Sequence, residues 1–191
     1  MQLSHENRAR VQAALAAAQG RTHVRVALMI VPASDHYAMY PLAWAGMIAL
    51  ATGAALAVFW QAIGLRLGFL IEAAAFGLTA MAVEWRPLRL ALVPTRLKQM
   101  RARNMAHREF AAGILAARDR KEGLLFFASL GERYVEIIAS REVHALVGEG
   151  AWQSIVDAFA ARARAGDLAD AFVAAIEGCA DLLATHFPPP I

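Results

Sequence analysis

Five acidic residues gather where the residue pattern marks a sheet and its turns: Asp119, Glu122, Glu132, Glu136 and Glu142. Carboxylates at that density can hold a divalent cation that activates water against a phosphate ester. Arg118, Arg120, Lys121, Arg133 and Arg141 are interspersed with them, whereas a cation site needs several oxygen ligands of net negative charge. Solvated turn and strand-edge charge is therefore the expectation, with Glu122, Glu136 and Glu142 as the catalytic candidates. His5, His23, His36, His107, His144 and His186 form no i, i+4 pair and have no cysteine companion, so no metal site is expected from them. Cys179, the single cysteine, sits among Ala174, Ala175, Ile176 and Ala180 and reads as a small core residue.

Glu72 stands apart, inside an apolar run with Gln61 as a polar companion on the preceding run. A carboxylate at membrane depth is by default a functional-site hypothesis, for proton or ion handling. Six residues after Arg66, it lies about 9 Å from the turn between the runs, near enough to water to serve as an anchored polar contact.

These groups are positioned by a chain of 191 residues, 59% hydrophobic, whose apolar excess is concentrated in the first half. Residues 37–65 contain no charged side chain, and a second apolar run follows Arg66 to Val83. A bilayer core needs about 20 mostly apolar residues per helix, which predicts a transmembrane hairpin over residues 37–85, with spans at about 41–63 and 66–85. Tyr37, Tyr40, Trp44, Trp60 and Trp85 fall at the ends of those spans, the headgroup depth such side chains prefer. Ala43, Gly46, Ala49, Gly53, Ala54 and Ala57, opposite Ala74, Gly77 and Ala80, make small-residue stripes that allow close helix packing.

Arg86, Arg89, Arg96, Lys98, Arg101, Arg103 and Arg108 follow the second span with no acid among them. Arg8, Arg10, Arg21 and Arg25 precede the first, while only Arg66 lies between the two. The positive-inside rule places both flanks in the cytoplasm and the turn outside. Residues 86–104 read as a basic juxtamembrane linker whose side chains, Arg86, Arg89, Arg96, Lys98, Arg101 and Arg103, face anionic headgroups. Nucleic acid is not an expected partner, because no aromatic side chain able to stack on bases lies in that stretch. The first 20 residues carry His5, Glu6, Arg8 and Arg10 where a signal peptide has its apolar region.

Ser4 can cap a helix ending near Gly20, and residues 23–31 read as a strand stopped by Pro32. A helix is predicted over 105–118, a β-hairpin from 124–130 and 133–139 around Gly131-Glu132, and two C-terminal helices broken at Gly166-Asp167. One strand before the spans and two after them are marginal separately. A shared cytoplasmic sheet, built from residues 1–36 and 105–187 with a tail at 188–191, joins them.

Three stretches carry a family resemblance: Gly123-Leu124-Leu125-Phe126-Phe127, then Glu132-Arg133-Tyr134-Val135-Glu136-Ile137-Ile138, then residues 166–176. Together with the strand ending in Val31-Pro32, they resemble the TPM-domain family, also called TPM phosphatases. The resemblance implies an α/β fold, a small sheet with helices on both faces, here interrupted by the transmembrane hairpin. It also implies, for some members, acid phosphatase activity and a divalent metal held by acids in loops at one end of the sheet. This chain departs from that pattern with Lys121-Glu122 before the glycine and Ser140-Arg141-Glu142-Val143 in the loop after the second strand. The expectation is a multi-pass protein of a bacterial inner membrane, both termini cytoplasmic, whose TPM-like domain is a binding or regulatory module without catalysis or cofactor. Its partner would be a membrane protein or a second copy. The alternatives are a membrane-tethered metal-dependent phosphatase and an accessory subunit of a membrane transport complex.

Overall fold

The computed structural model describes residues 4–35, 37, 39–60, 62–115 and 122–189, leaving aside the side chains of residues 86–88 and 115. Gln61, Asp119, Lys121 and the side chain of Arg86 lie outside that description. The chain divides into two compact units, Met1–Ser34 with Gln99–Ile191, and Asp35–Lys98.

In the first unit Ser4 caps α1 (His5–Gln19), its Oγ accepting from the Asn7 N–H. Strand β1 (Arg25–Val31) pairs in parallel with β2 (Gly123–Ser129), which pairs antiparallel with β3 (Tyr134–Ala139), giving the sheet order β1-β2-β3. Parallel neighbours need a crossover connection, usually helical. Here that connection carries α2 (Met39–Phe59), α3 (Leu65–Val83), α4 (Arg86–Leu92) and α5 (Thr95–Phe110).

Side chains alternate across the strands, as the two-residue repeat of a pleated sheet requires. Val26, Leu124, Phe126 and Ala128 join a core with α1, α7 (Glu149–Arg164) and α8 (Leu168–His186), centred on Phe159, Phe172, Ile176 and Leu183. Val31, Leu125, Phe127 and Ile138 face the other way, onto Ala102, Ala106 and Phe110 of α5. Strand β2 is buried at every position, so the sheet has helices on both faces.

Two expectations need correction. The basic stretch after the second apolar run is helical as α4 and α5, and α5 opens at Thr95, ten residues before the predicted helix. Its Arg, Lys, Gln and Met residues are good helix formers, and Ala102, Ala106 and Phe110 at four-residue spacing put one face on the sheet. The loop expected at Ser140-Arg141-Glu142-Val143 is instead the start of α6 (Arg141–Val147).

After α5 the chain widens into a π-helical turn at Ala111–Leu115. Gly123 opens β2 directly against it, where a Cβ would come within 2.0 Å of the Ile114 Cγ2. A side chain there overlaps a buried branched residue, which explains a glycine at the first position of the central strand.

The second unit is built on α2 and α3, packed against each other. Both helices are long and apolar enough to cross a membrane. The half-buried positions of α3 are Gly68, Ile71, Glu72, Ala75, Thr79 and Ala80, and on α2 Gly46, Ala49 and Gly53 are covered while Ala43, Ala54 and Ala57 are exposed. The predicted stripe is thus met only in part: Gly46, Ala49, Gly53 and Ala80 are covered, whereas Ala74 and Gly77 face outward. At Gly53 the Glu72 side chain comes close to the α2 backbone, since a Cβ there would lie 3.1 Å from the Glu72 Oε1.

Candidate functional site

The three acids proposed from sequence do not form one cluster: Glu136 stands apart, while Glu122 and Glu142 lie in the segments joined by the Ser140 N–H to the Gly123 carbonyl. Glu122 precedes β2 and pairs with His23, Oε2 to Nε2 at 3.2 Å, at the end of the sheet where the Arg25 N–H donates to its carbonyl. Glu136 lies on β3 opposite Phe127, five residues along β2 from Glu122, or about 16 Å. Glu142 occupies the exposed first turn of α6. Among the described residues no three of His, Cys, Asp and Glu are grouped to hold a metal ion. A divalent site needs several oxygens converging on one point, and the donors among the described residues do not converge on one.

Glu132 has a structural task. Only 6% exposed, it accepts from the Ser129 hydroxyl with Oε2 and from the Ser34 N–H with Oε1 at 2.8 Å. It ties the β2–β3 turn to the segment leaving β1, where Leu130 and Gly131 N–H also donate to the Val31 and Pro32 carbonyls. Replacing Glu132 by Ala leaves buried donors without acceptors, and the expected cost is about 1–3 kcal/mol. Urea unfolding of the purified chain followed by circular dichroism measures it.

The best-formed polar cluster lies beside β3. Glu136 Oε1 is 3.7 Å from the Arg103 Nε and 3.5 Å from the His107 Nε2, both on α5, while the Tyr134 hydroxyl donates to Oε2 at 2.9 Å. Burial, with the adjacent carboxylate, pushes the Tyr134 hydroxyl well above the usual phenol range. The two bases sit one helical turn apart and so share a face of α5. Around this cluster a groove of about 460 Å³ runs along β3 between α5 and α7, with Trp152, Gln153 and Val156 on its far side.

Arg103, expected to face headgroups, is thus within reach of Glu136. Arg89 is 3.9 Å from Glu84, and Lys98 donates to the Leu90 carbonyl at 3.0 Å. Arg96 and Arg101 are exposed. The groove was invisible to sequence reasoning because Arg103 and Glu136 are 33 residues apart and meet only through the register of β3 and the packing of α5. The spacing of Arg103 and His107 was the one available signal.

Cys179 is 1% exposed in the α8 core, and burial pushes its thiol up to about 12 from an ordinary 9.0. A raised folded-state value means the folded chain holds this proton where the unfolded chain releases it, so stability is retained below about pH 9 and lost between about 9 and about 12. Maleimide at pH 8 is expected to leave Cys179 unmodified until denaturant is added, because the thiolate is the nucleophile. Mass spectrometry of the alkylated chain checks it.

Known proteins place this architecture. A family model for the TPM domain matches residues 87–182, a range that takes in the basic helices. Among solved structures, the NMR structure of BA42 protein from the psychrophilic bacterium Bizionia argentinensis superposes with a TM-score of 0.58 at 12% identity, covering 98% of this chain and 86% of that one. At that identity the likeness speaks for the fold alone. Among the curated proteins none matches. With half of its length matched by the family model and the same fold in a solved structure, the chain belongs to the TPM-domain family.

Proposed function

We propose that the chain is an integral membrane protein whose α2–α3 hairpin crosses the bilayer and whose TPM domain is a cytoplasmic binding module without catalysis of its own. The observation that carries the reading is the bare apolar surface of the hairpin: Leu50 is 71% exposed, Phe59 82% and Leu65 91%. Contiguous exposed apolar surface of this kind marks an interaction or membrane site. At 1.5 Å per residue, helices of 21 and 19 residues reach about 30 Å, the thickness of a hydrocarbon core. Two spans also return the chain to the side it left, so that β1 and β2 can pair; a single span would part them. Exposed basic side chains at Arg96 and Arg101 then meet anionic headgroups, at about 1 kcal/mol each.

The module reading rests on the acids. Glu122 and Glu136 are engaged by bases and Glu132 holds a turn, which leaves none of these three free to organise a metal-bound water, and the remaining candidate, Glu142, is exposed on α6.

Single cysteines test the topology, since Cys179 is buried. In intact cells an impermeant maleimide is expected to label Leu65→Cys and to spare Glu6→Cys and Glu142→Cys until the membrane is opened. Labelling of Glu6→Cys and Glu142→Cys from opposite faces would end the proposal. Metal-dependent hydrolysis of a phosphate ester by the full chain, lost in Glu122→Gln and Glu136→Gln, would replace the module by a phosphatase.

A further inference from the structure

Strand β3 is the sheet's edge: among the described residues it pairs only with β2. An edge strand presents the backbone N–H and C=O groups onto which another strand can add. The groove beside it spans all six residues, Tyr134 to Ala139, a length of about 20 Å.

Two observations point to an occupant. Trp152 lines the groove, is 5% exposed, and its indole N–H has no acceptor among the described residues. Buried donors are otherwise satisfied as a rule, so this one wants a carbonyl. On the opposite wall Arg103 and His107, whose side chains are 65% and 51% exposed, converge on the single carboxylate of Glu136 at distances too long for good hydrogen bonds. The Arg103 Nε also donates to the His107 Nε2 at 3.4 Å, a long bond that a second carboxylate would replace with shorter charge-assisted ones.

Deepening the binding-module reading and resting on it, we infer that the groove takes an extended peptide segment of a partner protein as a fourth strand beside β3. Its acidic side chains face Arg103 and His107, and its apolar ones face Trp152 and Val156. The alternation follows from the pleat: Val135 and Ile137 of β3 pack toward the core that includes Trp152, while Tyr134 and Ile138 pack toward α5. A neighbouring strand divides its side chains between the same two faces. A partner carbonyl satisfies the indole donor, and backbone pairing supplies the sequence-independent part of the affinity.

The probe is a capped hexapeptide of alternating Glu and Val, titrated into the full chain in lipid nanodiscs with its four tryptophans labelled with nitrogen-15. Trp152→Phe assigns the relevant indole signal. That signal is expected to move downfield and saturate, and methylating the peptide amides that would face β3 should abolish the shift. Arg103→Ala, an exposed substitution, should weaken binding by about two- to fivefold, the range of one cross-strand charge pair. Replacing Glu by Lys in the peptide should weaken it at least as much. No movement at millimolar peptide, or undiminished binding of the methylated peptide, overturns strand addition. So does a chain that is already dimeric and that Glu136→Lys converts to monomer, because a second copy then fills the groove. Absent turnover with absent peptide binding removes only the strand; metal-dependent turnover removes the module reading itself.

Discussion

Phe126→Ala is expected to destabilise the TPM domain by about 3–5 kcal/mol, the ordinary cost of deleting a buried phenyl ring. Phe126 is 1% exposed on the central strand, with both neighbouring strands paired to it. Its ring meets Phe159 of α7 edge-on at 5.3 Å and Phe172 of α8 at 6.0 Å, and those two rings lie 4.8 Å apart. Losing it therefore breaks two of three aromatic contacts, each worth about 0.5–1.5 kcal/mol beyond buried area. It also opens a cavity where sheet and helices join. Domains of this size are stable by only about 5–15 kcal/mol, so the variant should unfold at much lower urea, or accumulate poorly in cells. Phe126→Leu, which keeps most of the volume, should lose well under half as much; equal losses would show that the cluster is not packed as described.

Leu50→Arg is expected to reduce membrane insertion of α2 by about 2.5–3.5 kcal/mol, the cost of an arginine near the centre of a spanning helix. Leu50 is near the middle of Met39–Phe59 and points away from its neighbours, 71% exposed. On a helix exposed to water the same change stays within about 0.5 kcal/mol, so the two environments differ several-fold in the predicted effect. An insertion assay with glycosylation acceptors on either side of α2 reads the difference directly. An unchanged inserted fraction, with the chain equally soluble without detergent, would place the hairpin in water.

Much of the fold was legible from local pattern. The Ser4 cap, the strand stopped by Pro32, the hairpin turning at Gly131-Glu132 and the helix break at Gly166-Asp167 all appear where residue types and spacing put them. Each depends on side chains within a few residues of one another. What was missed lacked such a signal: α6 has seven residues, too few for a periodic stripe, and the frequent charges of residues 96–108 obscure the small apolar face of α5. The small-residue stripe of the hairpin is covered at Gly46, Ala49, Gly53 and Ala80 and exposed elsewhere, because counting small residues gives a spacing but not the rotation of a helix about its axis. Glu72, not an alanine, rests against Gly53.

The candidate site was less legible than the fold. Glu136 could be named as an acid near a sheet, yet its neighbours could not, because which helix crosses which face depends on the whole connection between β1 and β2. Sequence by itself determined the two long apolar helices, the basic flanks, the strands and the family pattern, since hydropathy and local sterics act along the chain. Only the tertiary structure decided that Glu136 stands apart from Glu122, that Arg103 and His107 converge on β3, and that the Trp152 indole N–H has no acceptor among the described residues. Strand register and helix packing act between residues far apart in sequence, and they bring those groups together or separate them.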